Sequence, residues 1–287
     1  MNINEIVVIS GKGGTGKTTL VSSMIPFLRD LVIADCDVDA PDLNILFGDD
    51  IKAEKDFVGL QRAVINKDIC IACGECHKKC KFNAIDEDII VDTIKCEGCG
   101  VCEYVCPVNA IDMKDSVVGK IFVSNTQYGD MVHARLIPGE ETSGKLVAEV
   151  RKKAKKIAEE KNMKNIIIDG SPGIACNVIS SLTGVNQVII VIEPTLSGLH
   201  DLRKVHEMVK RFRLKEYIVI NKYDISEDEL KGIEDYCNEE NLEVILKIPF
   251  NKKLVEAITK KTVPSLYVSG FFENIGFDKF LNILNIN

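Results

Sequence analysis

The sequence predicts an α/β fold: a doubly wound, mostly parallel sheet that carries one small inserted α+β unit. Three observations predict it. Six short apolar runs, at residues 6–9, 31–34, 166–168, 188–192, 217–220 and 244–248, have the length and unbroken hydrophobicity of strands buried on both faces. Segments of helical period, such as 145–161, 198–212 and 226–239, lie between most of them, and strands alternating with helices build parallel sheets. Between residues 63 and 115 the rhythm stops and a cysteine-rich repeat takes its place. In doubly wound sheets ligand chemistry gathers at the carboxyl ends of the strands. Outside the repeat, each motif below follows one of the apolar runs.

Composition bounds the function. A chain of 287 residues accommodates one large α/β domain and a small insert, and 46% hydrophobic residues exclude a disordered protein. A net charge of −7 without a basic tract argues against a nucleic-acid partner. The N-terminus runs straight into the first apolar run, with no signal peptide or membrane span visible, so a cytoplasmic protein is expected. In that compartment thiols stay reduced, and eleven cysteines point to metal rather than disulfides.

After the first run comes Ser10-Gly11-Lys12-Gly13-Gly14-Thr15-Gly16-Lys17-Thr18-Thr19, which fits the phosphate-cradling P-loop pattern. Glycines let backbone N–H groups curl around phosphate oxygens, and the helix that follows adds partial positive charge. Lys17 supplies a point charge for the β/γ-phosphates, and the Thr18 hydroxyl can ligate Mg²⁺. Gly11, Gly13 and Gly16 also satisfy Gly-x-Gly-x-x-Gly, with Asp35 near the place of a ribose-binding acid. That dinucleotide reading leaves Lys12 and Lys17 unexplained. With its second lysine, Lys12-Gly13-Gly14-Thr15-Gly16-Lys17-Thr18 resembles the deviant P-loop of the MinD/ParA/Mrp ATPase family, to which the nitrogenase iron protein also belongs. The resemblance implies a nitrogenase-iron-protein-like P-loop fold. It also implies that Lys12 reaches the partner subunit's nucleotide in an ATP-dependent homodimer. The plainer alternative is a solvated loop lysine.

After the second run, Asp35, Asp37 and Asp39 form an acidic loop. By resemblance Asp35 supports the Mg²⁺ shell and Asp37 orients the attacking water, whereas Asp39 is an extra acid; without the resemblance this is a solvated loop. Cys36 reads as a small core residue.

The insert is an internal repeat with an offset of 26: Cys70, Cys73, Cys76 and Cys80 match Cys96, Cys99, Cys102 and Cys106, and Asn83–Asp86 matches Asn109–Asp112. Each half has the bacterial ferredoxin spacing, in which the fourth thiolate serves the other half's cluster. One [4Fe–4S] cluster is therefore expected on Cys70, Cys73, Cys76 and Cys106, the other on Cys96, Cys99, Cys102 and Cys80. The proline after the fourth cysteine is present at Pro107 and replaced by Lys81 in the first half. A pair of Cys₄ zinc sites is the alternative, although those favour separated Cys-x-x-Cys pairs. The expected division is an ATPase domain of residues 1–62 and 116–287 interrupted by a ferredoxin domain of 63–115.

Beyond the insert, 119–124 and 131–136 read as two short strands joined by a turn at 125–129, with His133 a hydrogen-bonded structural residue. Residues 139–145 read as a loop in which Thr142, Ser143 and Gly144 can cap the next helix, or Glu140 and Glu141 can form a docking surface. The run ending in Asp169 has the Walker B arrangement, in which the carboxylate anchors the Mg²⁺ water shell. Gly173 matches the switch glycine whose N–H senses the γ-phosphate, and Cys176 reads as helix packing. Asn221-Lys222-Tyr223-Asp224 fits the guanine-reading motif of GTPases, whereas an Asn in this place contacts adenine in MinD-like ATPases. The resemblance favours ATP, with Pro249 and its neighbours walling the base pocket. Residues 271–286 read as one closing amphipathic helix, too poor in basic residues to target a membrane.

These readings imply an ATP-hydrolysing iron–sulfur protein, with Mg²⁺ and two [4Fe–4S] clusters, that couples a nucleotide switch to electron transfer. The redox donor and acceptor are unnamed by the sequence. The alternative is an ATP-controlled carrier or scaffold serving metallocofactor assembly. A third reading, a ferredoxin with a degenerate nucleotide module, conflicts with the intact set of Lys12, Lys17, Thr18, Asp37 and Asp169.

Overall fold

All six apolar runs become strands of one sheet. The computed structural model describes residues 3–48, 50–140 and 143–286. Its strands are β1 (Asn4–Ser10), β2 (Leu31–Asp35), β3 (Asp50–Ile65), β4 (Ile111–Thr126), β5 (Gly129–Leu136), β6 (Asn165–Pro172), β7 (Gln187–Ile192), β8 (Lys215–Asn221) and β9 (Glu243–Ile248). They lie in the order β3-β4-β5-β2-β6-β1-β7-β8-β9. From β5 to β9 every pairing is parallel, and β4 runs antiparallel to both of its neighbours. The fold is thus α/β with a mostly parallel sheet.

Successive side chains of a strand point to opposite faces, so β1 feeds two cores. The first four helices are α1 (Lys17–Met24), α2 (Leu43–Phe47), α3 (Glu75–Lys79) and α4 (Val101–Tyr104). Val7 and Ile9 join the core beneath α5 (Ser143–Lys161), α6 (Cys176–Leu182), α7 (Gly198–Lys210) and α8 (Glu227–Glu239). Ile6 and Val8 join the core on the other face, with Leu20, Val21 and Met24 of the helix Lys17–Met24 and with Phe277 and Phe280 near the C-terminus. The helical stripe Leu146, Val147, Val150, Ala154 and Ile157 fixes how α5 lies on the sheet. Ser226 caps α8 by accepting from Glu229 N–H at 3.4 Å.

Two expectations need correction. The strand expected at 119–124 lies in the second half of β4, which is sixteen residues long. It pairs with an equally long β3 that the sequence pattern did not suggest. Together they form an arm whose ladder crosses both expected boundaries, at 62/63 and at 115/116, and holds residues 66–110 at its far end. Segment 50–65 escaped notice because it is charged, interrupted by Gly59 and exposed along much of its length. The C-terminal segment is not one helix: Ser269–Asn274 and Phe277–Ile283 are separated at Gly276, whose φ of 73° is left-handed. Thr142 and Glu141 lie outside the described residues; Ser143 opens α5. His133 is buried, shares a hydrogen bond with Ser124 Oγ at 2.9 Å and stacks on Phe122. Among the described residues no helix is long and apolar enough to cross a membrane.

Candidate functional site: a phosphate loop and two thiol chambers

The loop after β1 closes on a left-handed Gly16 with a φ of 94°, which starts the helix Lys17–Met24. A Cβ there would sit 2.3 Å from Asn221 Nδ2, so glycine is needed for conformation and for room. Asn221, the last residue of β8, donates through Nδ2 to Thr15 O at 2.8 Å and clamps the loop from the neighbouring strand end. Gly13, Gly14, Gly16, Lys17, Thr18 and Thr19 line a cleft of about 620 Å³, facing Asp37, Asp39 and Asp42. Gly11 and Thr15 lie off it. Gly11 packs against α7, where a Cβ would come 2.6 Å from Asp201 Cβ, and Thr15 is buried beneath the loop.

Three carboxylates meet under the cleft. Asp169, within β6, accepts from Thr18 Oγ1 at 2.7 Å, and its other oxygen is buried without a partner. Burial pushes its carboxyl up to about 7, against the pull of Lys17 and Thr18. Asp35 is wholly buried, and burial together with the charge of Asp169 raises it well above the usual carboxylate range. Both Asp35 oxygens are taken by backbone, accepting from Asp37 N–H at 3.1 Å and Leu43 N–H at 3.2 Å. It therefore shapes the acidic loop from beneath and does not itself line the cleft. Burial also raises Asp37, which Lys17 partly offsets. A buried, unpaired carboxylate oxygen is costly unless a cation arrives. Asp169, the Thr18 hydroxyl and Asp37 thus fit a hydrated Mg²⁺ beside a nucleotide's phosphates.

Two further residues are held in definite states. Lys12 Nζ donates to Thr195 Oγ1 at 2.9 Å and to Ser197 Oγ at 3.0 Å, on its own chain. Gly173 N–H donates to Ser10 O at 2.8 Å, so sensing a γ-phosphate requires that bond to be exchanged. Cys36 is buried as expected, and burial raises its thiol. Cys176, expected to pack, is exposed at the first position of α6.

A second cavity of about 240 Å³ shares Gly14, Gly16 and Thr19 with the first and continues to Asn221, Lys222, Pro249 and Phe250. Asp224 Oδ1 accepts from Phe250 N–H at 2.6 Å. The cleft walls include residues that motif reading missed: Ile45 and Leu46 from the helix Leu43–Phe47, Asn177 from α6, and Ile258 from Lys252–Thr259, whose Leu254 and Val255 line the second cavity. No motif flags these apolar walls; the one available signal was the surplus of acids at Asp39 and Asp42.

At the end of the arm the eight repeat cysteines separate into two chambers. One is lined by Cys70, Cys73, Cys76 and Cys106, the other by Cys80, Cys96, Cys99 and Cys102. The backbone repeats with the same offset as the sequence. Positive φ recurs at Ala72 and Gly98, at Gly74 and Gly100, and at Asn83 and Asn109. The helices Glu75–Lys79 and Val101–Tyr104 begin 26 residues apart. Ala84 N–H donates to Cys80 Sγ at 3.3 Å, and Ala110 N–H does the same to Cys106 Sγ at 3.2 Å. Burial raises the Cys76 and Cys102 thiols. Among the described residues no three His, Cys, Asp or Glu side chains converge as they do around a single ion.

Residues 6–264 match the description of the CobQ/CobB/MinD/ParA nucleotide binding domain, CbiA. The uncharacterized protein MJ0578 of Methanocaldococcus jannaschii is 38% identical over 225 residues, spanning 77% of this chain and 78% of that protein. Among solved structures, the septum site-determining protein MinD of Pyrococcus horikoshii, complexed with Mg-ADP, superposes with a TM-score of 0.58 at 19% identity, covering 98% of this chain and 94% of that one. Apo McdA of Cyanothece gives 0.59 at 14% identity, covering 99% and 98%. At those identities the structures speak for the fold alone.

Proposed function

The chain belongs to the CobQ/CobB/MinD/ParA nucleotide-binding family, and from that premise we propose that it is an ATP-hydrolysing iron–sulfur protein whose nucleotide switch is coupled to electron transfer through two [4Fe–4S] clusters. The observation that carries the reading is the sorting of the eight thiols: each chamber takes three cysteines from one half of the repeat and the fourth from the other. The donor set fits the group. Four thiols ring each chamber, and backbone N–H groups reach Cys80 and Cys106, which would lower the charge cost of their thiolates. When bound, such clusters supply one-electron relay. The chain's own residues hold them on a two-stranded arm hydrogen-bonded into the nucleotide-binding sheet.

At the cleft, Lys17 neutralises phosphate charge, while Thr18 and Asp169 hold the metal's water shell. Asp37 faces the cleft with a raised carboxyl and is placed to orient water. Lys12 is proposed to leave Thr195 and Ser197 for the partner's nucleotide when two copies close with ATP. Adenine is supported over guanine because one oxygen of Asp224 is already committed to Phe250 N–H, whereas a guanine edge offers two donors to that carboxylate.

A second reading, a carrier that delivers clusters to metallocofactor assembly, draws on the exposure of Cys73 and Cys99, one thiol in each chamber. Anaerobic purification followed by iron, sulfide and zinc analysis tests the first reading. It expects about eight iron and eight sulfide per chain, retained through ATP turnover in the presence of chelator. Clusters lost during turnover favour delivery, and stoichiometric zinc without sulfide removes both readings.

A further inference from the structure

The loop between β5 and α5 touches both the acidic loop and the insert. On the nucleotide side, Leu136 N–H donates to Val38 O at 3.3 Å, and Val38 sits between the cleft acids Asp37 and Asp39. Ile137 N–H then donates to Val118 O of β4 at 2.9 Å, and Glu140 N–H turns back onto Ile137 O at 3.1 Å. The turn delivers Glu140 to Arg62 of β3, with Arg62 Nη2 and Glu140 Oε2 2.5 Å apart and side chains only 7% and 15% exposed. Glu140 is therefore part of a nearly dry ion pair rather than an open docking surface.

Arg62 stands next to the second chamber. Its neighbour Ala63 lines the chamber of Cys80, Cys96, Cys99 and Cys102. Its other neighbour, Gln61, presents a carbonyl so close to Gly98 that a Cβ on Gly98 would lie 2.3 Å from it. Gly98 is the left-handed residue between Cys96 and Cys99. A Cβ built on Gly139 meets Ile94 Cγ2 at 4.0 Å, a second contact between the loop and this half of the repeat. The chamber of Cys70, Cys73, Cys76 and Cys106 lies farther out along the arm, with Ile111 and Ala110 in its wall in place of Ala63 and Met113.

We infer that the Arg62–Glu140 pair is a positioning joint through which the nucleotide site and the chamber of Cys80, Cys96, Cys99 and Cys102 sense each other, while the outer chamber is left outside the linkage. The inference rests on the reading of the two chambers as cluster sites. A nucleotide-dependent move of the acidic loop pulls on Leu136 and so on Glu140. A close-packed ion pair of low exposure transmits that displacement because it has few alternative arrangements. Arg62 then shifts Gln61 under the Cys96–Cys99 turn. The inner cluster is the one whose surroundings follow the nucleotide, and the outer cluster is the one free to exchange electrons with a partner at constant potential.

The test is hydrogen exchange on anaerobically purified, cluster-containing protein with MgATP and with MgADP, with iron, sulfide and nucleotide affinity measured on the same samples. In the wild type, amides of 94–99 and 137–140 should exchange about tenfold differently between the two nucleotides, and those of 70–76 should not. Glu140→Gln should abolish the response at 94–99 without changing iron content or abolishing nucleotide binding. The double variant Arg62→Met/Glu140→Leu, which leaves no buried charge unpaired, should do the same and serves if the single variant is unstable. In redox titration only one cluster should respond to MgATP in the wild type, by about tenfold in its reduction equilibrium, or about 59 mV for one electron; neither should in the double variant. Wild-type protein that holds iron and binds nucleotide yet shows no response at 94–99, or variants that keep the response, overturn the joint and leave the functional reading intact. Protein without iron or without nucleotide affinity overturns both.

Discussion

All eight thiols that face the two chambers come from one stretch, Cys70 to Cys106, and the backbone there repeats with the sequence. The nucleotide cleft draws instead on residues from Gly13 to Ile258, brought together by strand ends of a parallel sheet. The first site is made by local chain geometry; the second exists only once the sheet has formed. Their electrostatics are nonetheless alike. Burial raises Asp35, Asp37 and Asp169 in the cleft, and it raises Cys76 and Cys102 in the insert. In each site burial disfavours the ionised form of the side chain.

The nucleotide cleft is most sensitive at Lys12. Lys12→Ala should retain nucleotide affinity and full iron content, while hydrolysis falls about 10³-fold because charge on the transferring phosphoryl group loses a donor supplied in trans. Turnover and light-scattering mass check this, and a monomer hydrolysing ATP at the wild-type rate would contradict it. Cys106→Ala should remove about half of the iron and spare nucleotide affinity. Its loss should fall on the cluster of Cys70, Cys73 and Cys76, which mass spectrometry of thiol labelling can read. Loss of protection at Cys96, Cys99 and Cys102 instead would show that the fourth ligands are not exchanged between halves.

A smaller effect concerns the buried acids. The Asp169 carboxyl lies at about 7 in the folded chain against an ordinary 3.8. Between those values the folded state holds more protons than the unfolded one, so stability falls as pH rises through that window. In magnesium- and nucleotide-free protein, Asp169→Asn should therefore raise stability by about 2–4 kcal/mol at pH 8 and by little at pH 4. Denaturant titrations at the two pH values test it; an equal effect at both would mean that the proton is not the cause. Smallest is base choice. Asn221→Ala should weaken ATP and GTP alike because it loosens Thr15, by about tenfold. Asp224→Ala should change the preference little, whereas abolition of a strong GTP preference would reverse the reading of the base pocket.

What was legible follows the same division. The cysteine spacing anticipated which thiols share a chamber, because three of each four lie close together on one tight loop and the repeat pairs them with the fourth of the other half. The phosphate loop and the acids Asp35 and Asp169 were legible because each directly follows an apolar run. The arm was not: β3 shows its charged and exposed residues to any pattern search, and only its pairing with β4 makes it a strand. The cleft walls at Ile45, Leu46 and Ile258 were invisible for a related reason, since apolar side chains in short helices carry no signature of the cavity they border. Asp35 was recognisable as an acid of the site, but its role in bonding Asp37 N–H and Leu43 N–H is a property of the folded loop.

In the proposed coupling, nucleotide and clusters act on one another through a single chain. It is tested most directly by the affinity for MgATP of fully oxidised and of dithionite-reduced protein, measured anaerobically at equal iron content. Linkage requires that a cluster sensing the nucleotide be sensed by it in return. Reduction should change MgATP affinity by about tenfold in the wild type, the same factor by which MgATP shifts the reduction equilibrium, and Glu140→Gln should make the two affinities equal. Equal affinities in the wild type would contradict it and leave a nucleotide-binding domain and a cysteine-rich insert that share a chain without sharing a signal.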